Sequence, residues 1–204
     1  MNDKPILLCL TGFTGVGKTT VKNMFSNYPN VKTFYTKDLH KIILGEYATS
    51  TNKIDVSLKF DDKLNFIRNV MNHINKYKED SNIVVLDSIR STTELDYIRT
   101  LPEYTTVKLI HVSSDEKLRK KRLLMRDNCS TMDIKKRDLR DTGEDNTGLF
   151  NMKDLFKWSD YTINTSHSLA FINKQVYMII QSLPKKVKEL NIIKTMSNKE
   201  KQHD

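Results

Sequence analysis

The chain has 204 residues, 38% of them apolar and 29% charged, so it is long enough to bury a core and is neither a disordered tail nor a membrane protein. Its longest apolar run, residues 6–10, is far shorter than the ~18 residues that span a bilayer, and no cleavage site follows it. Two cysteines are too few for a disulfide framework or a metal cluster. Reduced thiols in a cytoplasmic protein are therefore expected.

The positive charge is concentrated in one segment. Residues 117–140 carry ten Lys or Arg and three Asp, which supplies +7 of the chain's net +9. Such a surface suits a polyanion: a nucleic acid, an acidic lipid or a phosphorylated small molecule.

Strand and helix patterns alternate along the chain. The strand patterns fall at residues 5–11, 31–35, 82–87, 106–112 and 160–164. The helical patterns fall at residues 18–27, 58–78, 91–101, 113–126 and 169–183, and two of them open on capping boxes, Ser91-Thr-Thr-Glu94 and Ser113-Ser-Asp-Glu116. Five β runs separated by helices predict an α/β fold with a parallel sheet and right-handed crossovers. We expect a single domain over residues 1–184, followed by a basic tail at 185–204.

Residues 12–19 carry a phosphate-binding pattern. They read Gly-Phe-Thr-Gly-Val-Gly-Lys-Thr, which fits G-x-x-x-x-G-K-[ST] (Walker A), between the first strand and the first helix. The glycines let successive N–H groups point at phosphate oxygens. Lys18 supplies charge for the β and γ phosphates, and the Thr19 hydroxyl is a ligand for Mg²⁺. ATP or GTP is therefore expected to bind at Gly12, Phe13, Thr14, Gly15, Val16, Gly17, Lys18, Thr19 and Thr20.

A GTPase is disfavoured by the position of its guanine-reading motif. Asn52-Lys-Ile-Asp55 spells N-K-x-D, but it precedes the third strand pattern instead of following a late strand. The residues after the third strand, Asp87-Ser-Ile-Arg90, do not form D-x-x-G either.

Three charged residues follow strands at the edge of the sheet where ligands bind in open α/β folds. Asp87 ends the third strand, where an acidic residue can orient Mg²⁺. Arg90 comes three residues later, and Asp38 follows the second strand, where it could orient an acceptor or take its proton. The alternatives are a turn cap for Asp87, a solvated arginine for Arg90 and the N-cap of a helix over residues 39–44 for Asp38.

The basic segment predicts a helical lid at about residues 126–150. Arg137 and Arg140 share a face of a helix that should end near Gly143, and Arg126 ends the helix before it. An arginine on a moving γ-phosphoryl group can raise its transfer rate by ~10³–10⁵. A lid also excludes water, which competes as acceptor. The alternative is a solvated, charged helix face.

The stretch Leu10-Thr-Gly-Phe-Thr-Gly-Val-Gly-Lys-Thr-Thr-Val21 resembles the opening of the dephospho-CoA kinases. The strand at 108–112, the basic helix ending Lys121-Arg-Leu-Leu-Met-Arg126, the lid with Arg137 and the segment Ser159-Asp-Tyr-Thr-Ile-Asn164 continue that resemblance. It covers most of residues 5–180, more weakly between about 45 and 80, and extends to the wider nucleoside monophosphate kinase group. It implies a three-layer P-loop NTPase fold with five parallel strands in the order 2-3-1-4-5 and a helical lid. It also implies ATP and Mg²⁺ as cofactors, with Asn164, Thr165 and Ser166 beside the adenine.

Two segments resemble the monophosphate kinases more closely. Asp87-Ser-Ile-Arg90 is similar to the Asp-Gly-x-x-Arg segment of adenylate-kinase-like proteins and their archaeal relatives, not to the Pro-Leu-Leu-Phe-Glu stretch of a dephospho-CoA kinase. Thr36-Lys-Asp-Leu-His-Lys41 is similar to a Gly-Asp-Met-Leu-Arg segment whose arginine grips the acceptor phosphate. Lys41 stands at that position, and a lysine neutralises a phosphate without the two-pronged contact of an arginine. Viral deoxynucleoside monophosphate kinases share this plan.

The sequence thus predicts an ATP-dependent kinase that phosphorylates a small phosphorylated acceptor, a nucleoside or deoxynucleoside monophosphate in the first place and dephospho-CoA in the second. The expected catalytic residues are Lys18, Asp38, Arg126, Arg137 and Arg140. The expected acceptor ligands are Asp38, Lys41 and Arg90, and the expected metal ligands are Thr19 and Asp87. A nucleic-acid-dependent P-loop ATPase and a non-catalytic nucleotide-binding regulator stay open, although residues 117–140 contain no aromatic residue that could stack on bases. Neither a nucleic acid nor a membrane is the expected partner.

Overall fold

The sheet sets the architecture of the molecule. A computed structural model of the chain describes residues 4–36, 38–39, 63–78, 81–127, 129–145 and 150–184. Its strands are β1 (Ile6–Thr11), β2 (Val31–Tyr35), β3 (Ile83–Asp87), β4 (Thr106–Ser113) and β5 (Tyr161–Asn164). All neighbours pair in parallel, in the order β2-β3-β1-β4-β5. The predicted parallel sheet and its strand order are both confirmed.

Helices connect the strands and cover both faces of the sheet. In the described residues they are α1 (Lys18–Phe25), α2 (Lys63–Tyr77), α3 (Thr92–Arg99), α4 (Glu116–Asp127), α5 (Thr131–Thr142), α6 (Met152–Lys157) and α7 (Leu169–Ser182). The predicted start of α2 at residue 58 lies outside the described residues. α6 was not predicted, because six residues are too few to show a helical period.

Two hydrophobic clusters, one on each face, hold the sheet between its helices. Successive residues of a strand point to opposite faces, so β1 sends Leu8 into the cluster with α1 and α7, and Leu7 into the cluster with α2 and α3. Every residue of β1 is buried, and each fully buried leucine contributes ~1.5–3 kcal/mol over an exposed one. The result is a rigid frame whose carboxyl edge carries the polar residues.

The start of α4 differs from the prediction. A capping box was expected at Ser113-Ser-Asp-Glu116, but β4 extends through Ser113, whose carbonyl accepts a hydrogen bond from the Thr165 N–H at 2.9 Å. Ser113 is therefore part of the sheet and does not cap the helix. The Asp115 carboxylate replaces it and accepts from the Leu118 N–H at 3.0 Å.

The other capping box was predicted correctly, and one was missed. Ser91 and Glu94 cap α3 reciprocally. Ser130 and Asp133 do the same for α5, with Asp in place of the Glu or Gln of the usual pattern. Both boxes satisfy N–H groups that a helix start leaves unpaired.

Both cysteines are free thiols, as expected. Cys9 lies inside β1, where burial raises the pKa of its thiol far above the ordinary range. In the parts of the chain that the structure describes, no helix is both long and apolar enough to cross a membrane.

Candidate active site

The phosphate loop lies where the sequence places it, between β1 and α1. Gly12, Gly15 and Gly17 have φ values of 144°, 88° and 95°, which L side chains rarely adopt. Gly17 is the N-cap of α1, and no side chain caps the helix there. The first N–H groups of α1 therefore remain available to an anion.

Lys18 folds back over this loop. Its Nζ donates to the carbonyl oxygens of Gly12 at 2.6 Å and Phe13 at 3.2 Å. Burial lowers its pKa to about 8, an effect that the negative charge of Asp87 partly offsets. The ammonium thus bonds to two neutral carbonyls, and a phosphate oxygen would form a stronger, charge-assisted hydrogen bond with it.

The lowered pKa of Lys18 predicts a proton uptake when ATP binds. At about pH 9 most Lys18 side chains should be neutral, and phosphate charge should raise the pKa again because it favours the ammonium. Affinity for ATP should therefore fall as the pH rises through 8. Calorimetry in two buffers of different ionisation enthalpy measures the uptake, and Lys18→Met should remove most of it. Equal proton uptake in wild type and variant would contradict this prediction.

Asp87 faces the loop from the end of β3. Its side chain is fully buried, and its Oδ1 accepts from the Ser88 Oγ at 3.0 Å. Its Oδ2 has no hydrogen-bond partner among the described residues, and burial raises the pKa of the carboxyl above its usual value. A buried oxygen without a partner is costly, and a hard cation is the partner that carboxylates favour.

These donors fit Mg²⁺. Asp87 offers an unpartnered carboxylate oxygen, and Thr19 offers an exposed hydroxyl at the start of α1. No group of three or more metal-ligating side chains occurs within the described ranges. Mg²⁺ commonly takes one or two protein ligands and completes its coordination shell with phosphate oxygens and water.

A cleft of about 560 Å³ opens above the loop. That volume lies within the range of small-molecule sites. From the predicted site residues it brings together Thr14, Gly15, Gly17, Lys18, Thr19, Thr20, Asp87, Arg90, Arg126 and Thr165. It is also lined by residues that the sequence did not single out: Tyr35, Ser88, Arg122, Met125, His167, Leu169 and Ile172.

The lid arginines are engaged by carboxylates. Arg126 lines the cleft, but its guanidinium binds Asp127, as does that of Arg137. The two guanidiniums hold the pKa of the Asp127 carboxyl well below its usual range. Arg140 binds Asp141 at 2.9 Å, and neither Arg137 nor Arg140 lines the cleft. Several arginines of this segment are thus paired with nearby carboxylates, although the segment keeps a net positive charge.

Arg90, one of the three predicted acceptor ligands, lines the cleft. Its guanidinium lies 4.0 Å from Asp141 and 5.0 Å from the centre of the Phe150 ring. Asp38 is exposed and does not line the cleft. Lys41 and the segment 52–55 lie outside the described residues.

The turn after β5 is tied down by hydrogen bonds. Gln175 binds both the backbone N–H of Asn164 at 2.9 Å and its carbonyl at 3.0 Å. The Oγ of Ser166 accepts from the Asp115 N–H at 2.6 Å. Of the predicted base-side residues only Thr165 lines the cleft, and its Oγ1 binds the Val16 carbonyl of the loop at 2.5 Å.

Thr14, in the middle of the loop, is held by α4 and α5. Its carbonyl accepts from Arg119 of α4 at 3.1 Å, and its Oγ1 donates to Asp141 of α5 at 3.3 Å. Arg119 is buried and makes a two-pronged contact with Asp138 at 2.9 and 2.6 Å. The contacts of Arg119 and Asp141 with the loop leave no signal in the sequence, because Thr14 is 105 and 127 residues away along the chain.

Comparison with solved structures agrees with this architecture. The chain is similar to a sugar kinase from Janibacter sp. (12% identity, TM-score 0.57, 89% of this chain and 97% of that one covered). It is also similar to a shikimate kinase from Acinetobacter baumannii (15%, 0.53, 88% and 94%) and to a dephospho-CoA kinase from Campylobacter jejuni (16%, 0.50, 88% and 97%). No protein-family model matches the chain, and no curated protein sequence does. The chain therefore shares its α/β fold, with five parallel strands, with these solved kinase structures, and the predicted fold class is confirmed.

Proposed function

We propose that this chain is an ATP-dependent kinase that transfers the γ-phosphoryl group of Mg·ATP to a small phosphorylated acceptor, a nucleoside or deoxynucleoside monophosphate. One arrangement supports this. The phosphate loop with Lys18 faces the unpartnered oxygen of Asp87, and the same cleft continues to the guanidinium of Arg90. A triphosphate and an acceptor phosphate can thus be held side by side.

On the donor side, Lys18 and the loop amides hold the β and γ phosphates. Thr19 and Asp87 hold Mg²⁺, which when bound neutralises phosphate charge. The base lies at the end of the cleft lined by Thr165, and Asn164 and Ser166 shape the turn beside it. The roles of Asn164, Thr165 and Ser166 follow from the resemblance to the dephospho-CoA kinases, and of these three residues Thr165 lines the cleft.

On the acceptor side, Arg90 binds the acceptor phosphate, with Lys41 as a second cation and Asp38 beside the acceptor. The lid arginines Arg126, Arg137 and Arg140 supply charge to the moving phosphoryl group. Each is paired with a carboxylate in the structure. A phosphate can take the place of a carboxylate on an arginine, because both accept the same two-pronged contact.

Dephospho-CoA is the second candidate acceptor, favoured by the loop sequence from Leu10 to Val21. For either reaction we propose a cytoplasmic location, where free thiols such as those of this chain stay reduced. A nucleic-acid-dependent activity receives less support, because acidic partners occupy Arg119, Arg126, Arg137 and Arg140.

The test is ADP release from ATP and Mg²⁺ against a panel of nucleoside and deoxynucleoside monophosphates and dephospho-CoA. We expect one class of monophosphate to stimulate release strongly. As a control variant, Lys157→Ala removes a 73% exposed lysine that is paired with Asp154, and it should not change the rate. Stimulation by dephospho-CoA alone would select the second candidate. Stimulation by a polynucleotide alone, or by no acceptor, would contradict the proposal.

A further inference from the structure

Asp141 is a buried carboxylate at the junction of three parts of the site. It lies near the end of α5, and its side chain is only 2% exposed. Its Oδ1 accepts from Arg140 at 2.9 Å and lies 4.0 Å from Arg90, and its Oδ2 accepts from the Thr14 hydroxyl at 3.3 Å. The lid, the acceptor side and the phosphate loop thus meet at one side chain.

Burying a carboxylate is costly unless its oxygens are paired. Asp141 meets this requirement with the two arginines and the threonine. The arginines need it in return, because two guanidiniums that converge on one point repel each other. A negative charge between them lets both stay in place.

Phe150 fixes the same arginines from another direction. The guanidiniums of Arg90 and Arg140 lie 5.0 and 5.8 Å from the centre of its ring, within the range of cation–π contacts. The Arg90 side chain remains 34% exposed and lines the cleft. It is therefore held on one side and open to a ligand on the other.

We propose that Asp141 is a positioning residue: it orients Arg90 and Arg140 for phosphoryl transfer, and Thr14 links that orientation to the phosphate loop. The inference rests on the proposed function above, and it adds a residue to which the sequence pattern assigned no role. Asp141 need not touch either substrate. It acts through the arginines, so its loss should weaken the acceptor side more than ATP binding.

The test combines a kinetic and a spectroscopic readout on Asp141→Asn. For the best acceptor of the panel, kcat/KM should fall about 100-fold, since a small misplacement of a binding group can cost that much. The fall should show both as a higher KM for the acceptor, through Arg90, and as a lower kcat, through Arg140, whereas the dissociation constant of ATP should stay close to wild type. NMR on isotope-labelled protein measures the order parameters of the Arg90 and Arg140 Nε–H bonds, with the signals assigned by Arg→Lys variants. These order parameters should fall in Asp141→Asn.

Asp141→Glu serves as the second variant, in case the asparagine variant does not fold. It keeps the buried charge and moves the carboxylate by one methylene, so the arginine signals should stay ordered and kcat/KM should fall about tenfold. Asp154→Asn is the matched control. It neutralises an exposed aspartate that pairs with Lys157, and it should leave both readouts unchanged.

The two readouts separate this inference from the proposed function. Unchanged arginine order in Asp141→Asn, or an equal loss of ATP and acceptor binding, would overturn the positioning role. If no acceptor stimulates ADP release by the wild type, the proposed function fails, and the arginine signals still decide whether Asp141 orients the two side chains.

Discussion

Replacement of Lys18 by alanine is expected to lower kcat/KM by about 10²–10³-fold or more, because one preorganised charge on the transferring group is lost. The fold should survive. Lys18 bonds only to the Gly12 and Phe13 carbonyls among the described contacts. Burial also lowers its pKa, so the folded chain holds the ammonium at a cost. Removing that charge should leave the free energy of unfolding little changed.

Kinetics of ADP release and thermal unfolding measure the two effects on the same sample. Lys18→Arg keeps the charge in a bulkier, planar form and should recover only part of the activity. Lys157→Ala is the control for a lost lysine. A well-folded Lys18→Ala protein with wild-type turnover would refute the role of the loop.

Replacement of Gly12 by alanine is expected to cause the largest loss of stability in the site. A Cβ at this position would lie 2.2 Å from the backbone oxygen of Val112, and its φ is +144°. The oxygen belongs to β4, which pairs with β1, so it cannot move aside without disturbing the sheet. Strain and clash together should lower the free energy of unfolding by about 2–5 kcal/mol. Urea denaturation measures the loss.

Gly17→Ala is the matched comparison. Its φ of +95° is also strained for alanine, but the nearest atom to a new Cβ is the Thr165 Oγ1 at 3.4 Å, an ordinary contact. Strain alone should cost about 1–2 kcal/mol. Equal losses in the two variants would show that the contact with Val112 does not determine the cost.

The elements of the fold could be predicted because their signals are local. Strand patterns in the sequence located all five strands of the described sheet, and β2 matched the prediction to the residue. The strand order rested on the resemblance to P-loop kinases and not on the residues themselves, since no local pattern says which strands are neighbours. The short helix α6 forms through packing, and the start of α4 is set by strand pairing at Ser113. Neither is visible as a local pattern, so α6 was not predicted and the predicted start of α4 was wrong.

The candidate site divides in the same way. The phosphate loop is contiguous, so its pattern could be recognised, and Asp87 and Arg90 could be placed from the strand that precedes them. Asp141 could not be found, because its partner Thr14 lies 127 residues away. The lid arginines were recognised as charges, but their pairing with Asp127 and Asp141 depends on how α4 and α5 approach each other. Whether they act in catalysis stays a prediction.

The burial of Cys9 leaves Cys129 as the cysteine that a labelling reagent can reach in the folded chain. Cys9 is sealed inside β1 and held as a thiol, whereas Cys129 is half-buried between α4 and α5, with its Sγ 3.6 Å from the Leu123 carbonyl. The chain has two cysteines in all. An alkylating fluorophore should therefore attach at a single position next to the arginine-rich helices. Its emission would report on the surroundings of these helices without any substitution in the chain.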